Sequence, residues 1–313
     1  MIYPANFEQK IGFDRLREQI AAMCSMQAGK RLIEAEEFSI SREDIEFKQD
    51  IADEMRVMLM LDPNAPRDEY PDMEGIIEKI GVEGAFLDCE QVATLRRALT
   101  AVGSMVGFIT SRNESQYPRL RKRSERVCVF PDVIRRINQL IDDEAKVKDG
   151  ASQELLYIRR SIREHEGQVS KRLQQVLSNA KRAGIVDADA MISIREGRAV
   201  IPVSAANKRK LNGFIHDESA TGRTFYIEPV EVVELNNQLK ELEYAERREI
   251  VRLLTEFTEE LRPDAEPIAQ AGEYLAEMDA IRAKARWAIE NRAGKPIVSI
   301  DDRLVLRGAF HPL

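Results

Sequence analysis

The residues that could do chemistry fall into a few small groups. The most suggestive is the basic triplet Lys208-Arg209-Lys210, with Arg223 close behind and Arg195 and Arg198 just ahead. A basic loop of this kind can hold a phosphate backbone, because phosphate contacts need positive charge and no particular base. It can also simply be a solvated loop. No aromatics interleave it, so stacking on single-stranded bases is not indicated. A second basic cluster, residues 112–126, has six Lys and Arg against two acids and reads the same two ways.

Other chemistries find little support. The Gly-Lys pairs Gly29-Lys30 and Gly294-Lys295 lack the earlier glycine and the following Ser or Thr of a phosphate loop. No G-x-G-x-x-G occurs. His165, His216 and His311 have no partners at metal-ligand spacing. His216, Asp217 and Ser219 are triad residue types, but neighbours on a strand point to opposite faces and cannot converge. Asp301-Asp302 reads as a turn. Cys24, Cys89 and Cys128 are odd in number and unpaired in spacing, so they read as reduced core thiols. No catalytic residue, bound metal or cofactor is expected within these residues.

The elements that must position the basic loop are mostly helices. The chain has 313 residues, a net charge of −7 and 43% hydrophobic residues. That excludes a disordered chain, and an acidic total argues against a surface that binds polyanions everywhere. Gly and Pro are scarce, and the stretches between them are rich in helix formers. Helices are predicted over 7–23, 25–36, 41–61, 88–109 and 132–141, with a proline-bearing loop at 63–71. Ser152 to about Ala183 is a long helix with Leu155, Ile162, Val169 and Val176 every seventh residue. Val230 to about Leu261 is a second, with Pro229 as its first helical residue. The first carries +4 and the second −4, which suggests an antiparallel pair.

Between the long helices lies the one β-rich stretch. Strands are predicted at 191–195, 199–203, 214–216 and 224–227, with turns at Glu196-Gly197 and Ala220-Thr221-Gly222. After Pro263 a helix is predicted over 275–291, then a strand over 297–306. The fold class is therefore mainly α: a helical core and two long antiparallel helices carrying a small inserted antiparallel sheet. The N-terminus shows no leader, and no apolar run reaches the roughly 20 residues of a membrane span, so a cytoplasmic location and no membrane partner are expected.

The inserted region reads R-E-G-R-A-V-I-P-V-S-A-A-N-K-R-K-L-N-G-F-I-H-D-E-S-A-T-G-R-T-F-Y-I-E-P, then V-E-V-V-E-L-N-N-Q-L-K-E-L-E. His216 to Gly222, Glu228-Pro229 and Leu235-Asn236-Asn237 carry its specificity. This string closely resembles the clamp region of the MutS-II branch of the MutS family, mismatch-repair paralogues that usually end in an Smr domain. Tyr274 to Ala288 resembles the helix before that family's ATPase domain, and His311-Pro312-Leu313 its R-H-P-L segment, with Phe310 in place of Arg. The resemblance implies a first helical core segment (1–151), an outgoing lever (152–186), a clamp (187–229), a return lever (230–262), a second helical core segment (263–296) and the start of a truncated ATPase domain (297–313). It further implies ATP and magnesium in that missing domain and an Smr endonuclease beyond it. Expected partners are double-stranded or branched DNA, a ribosome, and a second copy in a homodimer. DNA repair or recombination control and ribosome rescue are the roles it suggests. It makes Lys208, Arg209, Lys210 and Arg223 the expected nucleic-acid contacts. The alternative is a dimerisation and lever scaffold with no ligand of its own. The chain starts directly in the helical core, without the mismatch-reading domain of MutS proper, so direct mismatch recognition is not expected.

Overall fold

The computed structural model describes residues 6–66, 70–299 and 303–313. In chain order the elements are α1 (Phe7–Ile11), α2 (Phe13–Ala22), α3 (Gln27–Glu34), α4 (Arg42–Leu61), α5 (Glu74–Gly81), α6 (Cys89–Thr110), α7 (Pro118–Ser124), α8 (Pro131–Leu140) and α9 (Gln153–Arg182). Then come β1 (Ser193–Arg195), β2 (Arg198–Ser204), β3 (Gly213–Glu218), β4 (Thr224–Pro229), α10 (Val230–Leu261) and α11 (Ala265–Glu290). The chain is mainly α with one small inserted sheet. It forms two compact units, residues 1–146 with 254–313, and residues 147–253.

The first unit is helical. Ser41 caps α4 by accepting from the Asp44 amide at 3.3 Å. Asp88 and Gln91 cap α6 reciprocally, satisfying two amides that the helix cannot. α11 is the central element, with Ile268, Tyr274, Leu275, Met278 and Ile281 all buried. Glu266, Gln270 and Glu273 stay exposed, so the helix keeps one polar face while most of the rest of its surface is buried. Asp279 of α11 is fully buried and accepts from the Ser25 and Met26 amides at 3.1 and 2.8 Å, so it caps α3 from across the unit. α6 is long and apolar enough to cross a membrane by composition, but Val92, Leu95, Leu99, Val102 and Met105 face the protein interior.

Several expectations are corrected here. The helix predicted over 7–23 is two, because Gly12 adopts φ +73° and breaks it. The helix predicted from 275 begins ten residues earlier, at Ala265, because Pro263 sits in a 3-10 turn from which the helix resumes at once. α5 and α7 were not predicted. α7 lacks a local cap. Its first amides, on Arg119 and Leu120, donate instead to the Glu54 carboxylate of α4. The strand predicted over 297–306 is not formed at 297–299 or 303–306. Asp301-Asp302, the first five residues and three residues of the 63–71 loop lie outside the described residues.

The second unit is α9, the sheet and the adjoining stretch of α10. Ser152 caps α9 by accepting from the Leu155 amide at 3.0 Å, and its hydroxyl donates to Glu249 of α10 at 2.7 Å. Arg159 pairs with Glu246 and with Asp149, each at 2.6 Å. Toward the sheet, Val169, Leu173 and Val176 share a buried cluster with Val232. Residues late in α9 thus meet residues early in α10, and the pair is antiparallel. Leu155, Val169 and Val176 are buried, while Ile162 is half-buried midway, as expected of a ribbon only two helices wide.

The ion pairs at this seam set an acid response. The Arg252 hydrogen bond, with the Ser152 hydroxyl, holds the Glu249 carboxyl below its ordinary range. A depressed carboxyl stabilises the fold above the unfolded value of about 4.3, and that contribution disappears as pH falls through the folded value. Glu249→Gln should therefore flatten the fall of the urea midpoint between about pH 5 and 3. A variant as acid-sensitive as the parent would count against this role.

The sheet has strand order β1-β2-β4-β3, all antiparallel. Glu196 and Gly197 turn β1 into β2 with φ of 51° and 73°, the twin positive angles of a tight hairpin turn. β3 carries an irregularity between Ile215 and Asp217, so His216 bulges out of register. A Cβ at Gly213 would run into the carbonyl oxygen of Glu228, so only glycine lets β3 approach β4 there. Ile201, Val203 and Ile227 pack against Val169, Leu173 and Val186. Pro229 is the last residue of β4, not the first of a helix. β4 runs into α10 with no residue between.

Candidate nucleic-acid interface

The basic triplet lies in the turn segment that joins β2 to β3. The loop is held by its backbone and by Asn207. The Ala205 amide donates to the Arg223 carbonyl at 2.9 Å, and the Lys210 amide to the Asn207 carbonyl at 2.8 Å. The Asn207 side chain donates to the Ile185 carbonyl at 3.0 Å, docking the loop on the segment that follows α9. Lys208 lies over the Phe225 ring, its Nζ 4.1 Å from the centroid. Such an interaction is worth about 0.5–1 kcal/mol at an exposed site and fixes the stem without neutralising the charge. Arg209, Lys210 and Arg223 are exposed. Among the described residues, none of Lys208, Arg209, Lys210 and Arg223 pairs with a carboxylate. The structure thus places the triplet in one loop and joins Arg223 to it through the backbone.

The neighbouring arginines behave differently. Arg195 pairs with Asp217 at 2.9 Å and stacks on Tyr226, 4.0 Å from the ring centroid. Arg198 is turned inward to Glu228, whose side chain is 2% exposed. Glu228 accepts from Arg198 Nη1 at 2.9 and 3.1 Å, from Asn236 Nδ2 at 2.6 Å, and faces His216 Nε2 at 2.6 Å. Arg198 also donates to Asn237 Oδ1 at 2.9 Å. One buried carboxylate therefore ties β2, the bulge of β3, and the start of α10 to β4. Buried charge is tolerated when it is paired and fully hydrogen-bonded, as here. The reading of the sequence missed this node. His216, Glu228, Asn236 and Asn237 stood out as a string, but separations of 12 and 8 residues announce no contact before the strands are paired.

The triad types diverge. His216 faces Glu228, Asp217 pairs with Arg195, and the Ser219 hydroxyl accepts from the Thr224 amide at 3.1 Å. Four of the six cations of the 112–126 cluster are paired, Arg121 with Glu125 among them, while Lys122 and Arg126 are exposed. Arg112 pairs with Asp62 and Arg119 with Asp50, each within 3.2 Å, and Arg123 with Glu277. Gly29 is packed on Asp279 inside α3 and Lys295 is paired with Asp50, so neither Gly-Lys pair shapes a phosphate loop. Among the described residues no group of His, Cys, Asp and Glu is arranged to hold a metal. Of the three thiols only Cys24 is a core thiol, pushed up to about 12 by burial and by the Asp279 charge. Cys89 is half-buried and Cys128 is exposed, which corrects the expectation of three core thiols.

No family model matches the chain. Curated proteins do. It is 34% identical over 305 residues to the protein named Endonuclease MutS2 of Pelotomaculum thermopropionicum, covering 97% of this chain and 38% of that one. It is 33% identical over 303 residues to Endonuclease MutS2 of Geobacillus sp. (strain WCH70), covering 96% and 38%. It is 31% identical over 303 residues to Putative endonuclease MutS2 of Bacillus subtilis (strain 168), with the same coverage. The chain spans 38% of the length of these relatives. Along nearly all of its own length, the chain is therefore homologous to part of the proteins named Endonuclease MutS2.

Proposed function

We propose that this chain is the lever and clamp region of a MutS2-type protein of DNA repair or recombination control, and that its sheet grips a nucleic-acid backbone. One observation carries the reading. Arg209, Lys210 and Arg223 are exposed with no carboxylate partner among the described residues, while Arg195 and Arg198 beside them are internally neutralised. Free cations on a fixed loop suit phosphate, which rewards charge and position rather than base identity. Duplex or branched DNA is the proposed ligand, held between two copies of the chain in a full-length homodimer. ATP and magnesium would act in a domain outside these residues, as would an Smr endonuclease, and nothing in this chain's own residues is assigned to those chemistries. A ribosome presents the same phosphate chemistry and is the competing target.

The sheet region as a whole has zero net charge, which favours the scaffold reading as the second possibility. A direct titration separates the two. The purified chain, mixed with labelled duplex and with a labelled four-way junction at low salt, should bind with an affinity that falls steeply as salt rises. No binding of either DNA at low salt would leave the scaffold reading standing.

A further inference from the structure

The basic loop has unpaired cations for neighbours on α9. Between Gly167 and Val186 the chain has no acidic residue and four cations, Lys171, Arg172, Lys181 and Arg182. The first half of α9 is different. There Arg159 pairs with Glu246 and Asp149, Arg160 with Glu164, and Arg163 with Asp149. In the second half, among the described residues, none of the four cations meets a carboxylate. Arg172 reaches only the Gln175 amide oxygen, Arg182 that of Asn179, and Lys181 the Ala188 carbonyl.

These side chains form a stripe. At 3.6 residues per turn, Lys171, Gln175, Ser178 and Arg182 fall on one line of α9, with Arg172 beside it. They border a shallow polar depression whose one acid is Glu231. Lys171, Arg172 and Arg182 are exposed. Asn207 then fastens the loop of Lys208–Lys210 to Gly184 and Ile185, two and three residues past Arg182. The stripe and the loop therefore meet at the end of α9.

A helix terminus attracts cations through its dipole, which accounts for Lys181 and Arg182 in the last turn. That effect does not reach Lys171 and Arg172, about three turns earlier. A merely solvated face usually intersperses acids, as the first half of α9 does with Glu164 and Glu166.

We propose that Lys171, Arg172 and Arg182 are a second contact for a nucleic-acid sugar–phosphate backbone, continuous with the loop contact. The proposal rests on the reading of the loop given above. Eleven residues of helix span about 16 Å, and one strand of a duplex offers a phosphate about every 3.4 Å of axis. The stripe thus tracks about five nucleotides of one strand, without reading their sequence.

The test uses the whole chain with Lys171→Gln, Arg172→Gln and Arg182→Gln combined, and a labelled duplex of mixed sequence. The slope of log affinity against log salt should flatten by about 2.7, at roughly 0.9 for each phosphate no longer neutralised. Replacing Arg172 and Arg182 by lysine instead should keep the parent's slope. Arg160→Gln, which removes an exposed but paired cation, should leave the slope unchanged. A parent slope in the triple variant, while neutralising Lys208–Lys210 flattens it, overturns the stripe and leaves the loop reading intact. A flattening by Arg160→Gln as large per charge as that of the stripe variant shows bulk charge and also overturns it. No salt-dependent binding by the parent overturns both.

Discussion

Glu228→Ala should destabilise the sheet-bearing unit by about 3 kcal/mol, the low end of what removing one partner of a buried ion pair costs. The carboxylate is almost fully enclosed and accepts from Arg198 and Asn236 while facing His216. Alanine would take the acceptor from the Asn236 amide and from Arg198 Nη1, leaving Arg198 only its bond to Asn237. The Arg198 side chain is 24% exposed, so water recovers some of the deficit, and that is the reason for choosing the low end. Glu228→Gln keeps the shape and one acceptor oxygen and should cost clearly less. Hydrogen exchange of the β2 and β4 amides reads the effect where it arises, because that node joins those strands to α10. Unchanged protection in the alanine variant would show that the node is dispensable.

Asp279→Ala should be at least as severe in the first unit, again about 3 kcal/mol or more. This carboxylate is 0% exposed and serves the Ser25 and Met26 amides and Arg282 Nη2 at 3.2 Å. The Arg282 side chain is 5% exposed and lies over Tyr70, so water offers it less relief than Arg198 receives. Removing Asp279 uncaps α3 and takes a carboxylate from a buried cation in one change, while Arg282 keeps its bond to the Ser25 hydroxyl. Asn should fall between Asp and Ala, since it retains one acceptor. The single tryptophan, Trp287, sits on α11 itself and reports unfolding of this unit by fluorescence. A urea midpoint equal to the parent's would contradict the assignment.

The legibility of this chain follows the range of the interactions. The long helices could be read because their signals are local. Ser152 and Asp88 cap within three residues, and Leu155, Val169 and Val176 repeat on one face. The Glu196-Gly197 turn is equally local, needing only two residues with positive φ. α7 was missed because its cap, Glu54, comes from 65 residues away. The break at Gly12 and the early start at Ala265 were missed because a glycine or proline permits either continuation, and packing chooses. The same boundary runs through the candidate interface. The loop's charges were visible as a string of residue types. Nothing local said that Arg195 and Arg198 would be consumed by Asp217 and Glu228, or that Asn207 would bring the loop to the end of α9. Pairing decides which cations remain available, and pairing is a property of the fold.

The central claim, that the loop between β2 and β3 touches a phosphate backbone, is tested most directly by Lys208→Gln, Arg209→Gln and Lys210→Gln combined. Lys208 lies over Phe225, and Arg209 and Lys210 are exposed with no carboxylate partner among the described residues, so the fold should survive at a cost of no more than about 1 kcal/mol. The measurement is the slope of log affinity for duplex DNA against log salt, in parent and variant. The account predicts a slope flatter by about 2 to 3, near 0.9 for each phosphate left unneutralised, with the same change on unrelated sequences. A variant that binds with the parent's slope would contradict it.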